Sequence, residues 1–245
     1  MKKYFILNYL SFNSLNIARL LGTQGLCAAH APYDLDLIRM APLCSGYTVS
    51  FFYKELLALY PDATFILLKE NITTIEDHLM YSYFNNIYSE AIEEDFQKHW
   101  GVKFEFGTLP DIDKKIAKYY NDVSSFFDKY PSFYTLDISE FGNVWTDFML
   151  SPKLEELFKD LEIKFPAQKA KIEQGKILTG HRYPYLNYLV DGFRGAGILN
   201  MPVGAMVATL NFPVSKQLDG HQTYMDLLGN ELLTTLKSEN KVVKQ

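Results

Sequence analysis

Cysteine is nearly absent. Cys27 and Cys44 are the only two in 245 residues, so no disulfide framework holds the chain and a reducing compartment is expected. Long apolar runs are missing as well, and none reaches the roughly 20 residues a membrane-spanning helix needs. The apolar run at the N-terminus is short, is broken by Asn8 and is followed by no small-residue cleavage site, which argues for a strand rather than a secretion signal. A basic surplus is lacking: 24 Lys and Arg face 29 Asp and Glu, a net charge of −5, so no electrostatic footprint for nucleic acid is present. The tail Lys237 to Lys244 is interrupted by Glu239 and reads as a frayed end. Metal-ligand spacing is lacking too. Asp77 and His78 share a helix without a third ligand, and His99, His181 and His221 are scattered, so no metal site is expected. The expectation is a cytoplasmic protein that meets neither nucleic acid nor membrane and handles a small-molecule substrate. No repeat, linker or low-complexity tract divides it, so residues 1–245 read as one domain.

Aromatic residues are plentiful, at 15% of the chain with 18 Phe and 17 Tyr. Such a surplus serves core packing or a pocket that stacks flat ligands, and packing is the commoner reason. Three continuous apolar runs read as buried strands: Tyr4–Asn8, Thr64–Leu68 and Phe133–Ile138. Leu26–His30 reads as a fourth, short strand. Helical spacing marks Val49–Leu59, the segment from Thr73 or Thr74 to Tyr83, Asp111–Tyr130 and Met225–Leu236, while Ala31–Gly46, with Pro32 and Pro42, reads as irregular. Asn13 and Ser14 stand where a helix after the first strand would be capped. Strands buried on both faces and alternating with helices predict a single doubly wound α/β domain, a central parallel sheet flanked by helices. Ligands in such sheets sit beyond the carboxyl ends of the strands. That places the candidate site near Asn8–Ser14, His30–Asp34, Lys69–Thr74 and Ser139.

Three segments resemble the PAPS-dependent sulfotransferases, whose fold is a variant of the P-loop kinases. The run YPDATFILLK at Tyr60–Lys69 is similar to the family strand YPDAKFILLxRD. Tyr119–Trp145 resembles the family's helix, its strand LLVLDIxE and the helix that follows. Asp160–Pro166, reading DLEIKFP, resembles the close of that unit. The resemblance spans roughly Tyr4–Pro166 and implies a three-layer P-loop-type fold, PAPS as cofactor, no metal, and in-line transfer of a sulfuryl group to a small-molecule hydroxyl or amine. The chain departs from the family pattern at the phosphosulfate loop. There the family reads G-x-x-R-[ST]-G-[ST]-[ST], and LNYLSFNSLN at Leu7–Asn16 has neither glycine nor cation. Lys69 replaces the family's 3′-phosphate arginine, with Glu70 beside it and Asp77 near the position of a family serine.

The resemblance implies cofactor contacts from Ser11, Asn13 and Ser14 at the first helix, from Lys69, and from Arg194. Arg194 lies in FRGAGILN at Phe193–Asn200, which is similar to the family loop RKGxxGxWxN. His30 is the candidate general base, since imidazole has a suitable pKa; the same residue also suits a hydrogen-bonded structural histidine. Asp34 is the next candidate base, or a turn carboxylate. Tyr183, Tyr185 and Tyr188 would line an apolar acceptor pocket or pack. Loss of the loop's glycines and cations opens a second reading, a divergent sulfotransferase fold without PAPS that acts on an apolar small molecule or only binds one.

Overall fold

The computed structural model describes residues 2–10, 14, 28–84, 90–104, 109–139, 207–208 and 223–243. A three-layer α/β arrangement results, with a central sheet of order β5-β4-β1-β3-β2-β6 flanked by helices. The strands are β1 (Tyr4–Leu7), β2 (Ala28–His30), β3 (Leu43–Ser45), β4 (Thr64–Lys69), β5 (Phe133–Asp137) and β6 (Val207–Ala208). Every neighbouring pair is parallel. The expected parallel alignment of the first, Thr64 and Phe133 strands therefore holds. β1 is fully inside, and Phe5, Ile6 and Leu7 have no exposed surface. It lies between β3 and β4, where the chain leaves for opposite sides of the sheet, so the carboxyl end of β1 is the topological switch point.

The helices are α1 (Leu35–Met40), α2 (Tyr47–Phe51), α3 (Tyr53–Leu59), α4 (Ile72–Phe84), α5 (Glu90–His99), α6 (Ile112–Phe126) and α7 (Tyr224–Ser238). The segment expected to be irregular, Ala31–Gly46, contains α1 and β3 instead. β3 escapes pattern reading because only three residues separate Pro42 from Gly46. The expected helix Val49–Leu59 is two helices that meet at Phe52 (φ −93°, ψ 26°).

Much of the aromatic surplus goes into packing. Phe5 and Phe65 lie 5.1 Å apart, Phe65 and Phe127 4.7 Å, and Phe127 stacks on Phe133 at 4.8 Å. Lys3, buried before β1, donates from Nζ to the carbonyls of Ile38, Arg39 and Ala41. One ammonium thus satisfies the open carbonyl end of α1, which the helix itself leaves unpaired. α7 packs on α1, α3 and α5. Its start is fixed by a capping box in which Thr223 and Asp226 bond each other's backbone amides.

Candidate functional site

The carboxyl ends of β1, β3 and β2 are knitted to one another. His30 Nδ1 lies 2.9 Å from Ser45 Oγ. Ser50 Oγ donates to the Gly46 carbonyl (2.7 Å) and accepts from the Asn8 amide (2.9 Å). Gly46 has φ +99°, and a Cβ there would stand 2.8 Å from the Ala31 nitrogen. Two non-glycine residues at this edge, Leu10 and Ala31, also take the left-handed region at φ 47°. Glycine is therefore not needed for left-handed backbone after β1, although Leu10 adopts it at a steric cost.

His30 is 7% exposed, and burial lowers its pKa to about 3. An imidazole held neutral so firmly is a weak proton acceptor near neutral pH, and its geometry is that of a hydrogen-bonded structural residue. Asp34 is the N-cap of α1, where Oδ1 accepts from the amides of Asp36 (2.7 Å) and Leu37 (3.4 Å). Lys69 ends β4, and its side chain makes no ion pair or hydrogen bond with the described residues. Its strand partner is Asp137, and Glu70 follows, 5% exposed. Both carboxylates raise the pKa of Tyr120, after burial itself, so both stand close to that phenol. The Glu70 amide donates to Tyr120 Oη at 3.1 Å. An acidic surrounding of this kind repels a phosphate, and the described residues do not fit the anionic groups of PAPS.

The structure does not bring His30 and Lys69 together. Their strands are three steps apart in the sheet, and Lys69 lies three residues farther along than the level of His30. With about 4.8 Å between strands and about 3.3 Å per residue, their Cα atoms are roughly 17 Å apart. Ser14 is helical and fully buried. Ser11, Asn13 and Arg194 lie outside the described residues, as do the tyrosines at 183, 185 and 188. Among the described residues no three His, Cys, Asp or Glu side chains gather as a metal site would require, and no helix is long and apolar enough to cross a membrane.

Open space lies beside the switch point. A cavity of about 350 Å³ is lined by Tyr9, Ser50, Phe51, Tyr53, His99, Trp100, Tyr119 and the α6 residues Lys115, Lys118 and Asp122. Tyr9 follows β1 by two residues. Its ring meets Trp100 edge to face at 5.1 Å and Tyr119 at 5.7 Å. Trp100 lies 5.3 Å from Tyr119 and 5.7 Å from Phe51. Tyr119 Oη donates to the Ser50 carbonyl (3.1 Å), whereas Tyr9 Oη and Trp100 Nε1 are buried with no hydrogen-bond partner among the described residues. Burial pushes the phenols of Tyr9 and Tyr119 up, so both stay protonated.

Sequence reasoning did not assemble this cavity, because its walls come from the end of β1, α2, α3, α5 and α6. The spacing of Ile92, Phe96 and Trp100, four residues apart and all buried, was the available signal for α5. A comparison with protein-family models, curated proteins and solved structures finds no match.

Proposed function

We propose that this chain is a divergent sulfotransferase-like α/β protein that does not use PAPS and that receives an apolar small molecule at the carboxyl edge of its sheet. One observation carries the reading: five aromatic side chains, Tyr9, Phe51, Tyr53, Trp100 and Tyr119, wall the open volume at the switch point, while Lys115 is held by two carbonyls and Lys118 by Asp122. The strand-edge polar groups that would meet a cofactor bond each other instead, as His30 does Ser45 and Ser50 does Asn8 and Gly46. Lys69, whose side chain has no partner among the described residues, stands opposite Asp137 on β5 and is followed by Glu70, with no cluster of cations around it among those residues. Small-molecule sites combine apolar and aromatic walls with placed polar groups, and here five aromatic side chains share the lining with Ser50, His99, Lys115, Lys118 and Asp122.

Calorimetric titration with PAP, the desulfated cofactor, tests the reading. No binding at millimolar PAP is the expected result. Micromolar binding that is lost in Lys69→Ala would overturn it and restore sulfuryl transfer from PAPS to a hydroxyl or amine as the function.

A further inference from the structure

We infer that the cavity beside the end of β1 binds a flat, uncharged aromatic molecule carrying an N–H or O–H donor, and that His99 Nδ1 accepts that hydrogen bond. The inference rests on the reading of this edge as a small-molecule site and names the ligand chemistry.

The tautomer of His99 follows from its partners. His99 Nε2 lies 3.2 Å from Asp226 Oδ1 and 3.3 Å from Thr223 Oγ1. Asp226 is a carboxylate paired with Lys98 at 2.6 Å, and its own pKa is lowered by hydrogen bonds that outweigh its burial. It can only accept. Thr223 has one hydroxyl proton. Its side chain also bonds Asp95, whose other contacts come from the Met225 amide at 3.0 Å and the Tyr47 hydroxyl at 3.4 Å. Asp95 is charged near neutral pH and takes the Thr223 proton, so toward His99 the threonine oxygen accepts. With acceptors on both sides, Nε2 must carry the ring proton. Burial lowers the pKa of His99, so the ring is neutral and Nδ1 keeps a bare lone pair. Nδ1 has no hydrogen bond to any described residue, in a side chain that lines the cavity.

The walls add shape. Phe51 meets His99 edge-on at 5.4 Å, and with Tyr9, Trp100 and Tyr119 it offers ring faces and edges to a planar guest. Both rim cations are engaged: Lys115 donates to the carbonyls of Gly101 (2.6 Å) and Pro110 (3.2 Å), and Lys118 pairs with Asp122. A carboxylate guest at His99 would face the lone pair of Nδ1, so selection against an anion comes from that nitrogen and not from the rim, where Lys115 keeps its charge. A donor-bearing neutral ring meets its complement.

Indole and 1-methylindole are the probes, titrated into the full-length protein and followed through the indole N–H resonance of Trp100. The chain has one other tryptophan, Trp145, and Trp145→Phe assigns the signal. Indole is expected to shift that resonance and to bind about ten-fold more tightly than its methylated analogue, the size of one hydrogen bond. In His99→Phe, and in His99→Gln should the first variant not fold, the preference is expected to vanish. Pairing 2-naphthol with 2-methoxynaphthalene tells an O–H guest from an N–H guest. Equal affinities within both pairs, a preference that survives both His99 variants, or binding that leaves Trp100 unmoved would each overturn the inference. PAP is titrated separately: PAP binding beside a retained indole preference would remove the PAPS-free reading and leave this site standing.

Discussion

His30 Nδ1 and Ser45 Oγ are 2.9 Å apart across the β2–β3 edge, and that bond ties the ends of two strands that are only three residues long. Replacing His30 with Ala removes the bond and leaves the Ser45 hydroxyl buried. A loss of about 1–3 kcal/mol is expected, read as a lower urea midpoint with unchanged slope. Ser45→Ala should cost a similar amount, and the double variant should cost less than the two together, because both singles break one contact.

The same histidine gives stability a pH dependence with a definite sign. Its pKa is about 3 in the folded protein against an ordinary value of 6.5, so the unfolded chain binds the extra proton between those limits. The His30 contribution is whole above about pH 6.5 and drains away as pH falls toward 3. Asp95 runs the other way. Burial raises its pKa from 3.8 to about 6, so its contribution is whole below about pH 4 and is lost as pH rises through 6. The second effect is on the order of 3 kcal/mol. Melting temperatures from pH 4 to 7 should therefore rise more steeply with pH in Asp95→Asn than in the parent, and less steeply in His30→Ala. Parallel curves for all three would show that neither group titrates as its burial demands.

The strands β1 and β4 were legible in the sequence because each is an apolar run covered on both faces, whereas β5, an edge strand in which only Leu136 is buried, was legible from its position after the turn at Pro131. β3 was not, since Leu43, Cys44 and Ser45 are too few to show a period. α5 was hidden by its charge, with Glu90, Glu93, Glu94, Asp95, Lys98 and His99 outnumbering its buried Ile92 and Phe96. Among the candidate site residues, His30 and Lys69 were legible as strand ends, and Ser11, Asn13 and Arg194 lie outside the described residues. Sequence order put His30 and Lys69 at strand ends, whereas strand order in space put β3 and β1 between them. The aromatic cavity joins Tyr9, Phe51, Trp100 and Tyr119, and no local pattern connects residues so far apart in the chain.

Gly46 is the tightest point of the edge. Its φ of +99° disfavours any side chain, and a Cβ would stand 2.8 Å from the Ala31 nitrogen and 3.1 Å from His30 Cε1. The neighbour is backbone and cannot swing aside. Gly46→Ala should cost about 2–4 kcal/mol, beyond the range of an ordinary surface change. Gly101, at φ +64° with nothing within 4 Å of an added Cβ, is the control: its alanine variant carries backbone strain alone, about 1–2 kcal/mol. Thermal melts of the pair check the difference, and equal losses would mean that the Ala31 contact relaxes freely.

Tyr9 makes the opposite case, a substitution expected to help. Its side chain is 2% exposed and its hydroxyl is buried without a partner among the described residues. The phenol ring contributes through its edge contacts with Trp100 and Tyr119, while the hydroxyl was stripped of water and gained no hydrogen bond from the described residues. Tyr9→Phe keeps both ring contacts and removes the unsatisfied group, so stability should rise by about 1 kcal/mol. A phenylalanine cannot donate or accept at that point, so the result also tells whether the hydroxyl is truly idle. If the melting temperature falls instead, the phenol has a partner in the folded protein, and the wall of the cavity is more polar than its aromatic rings suggest.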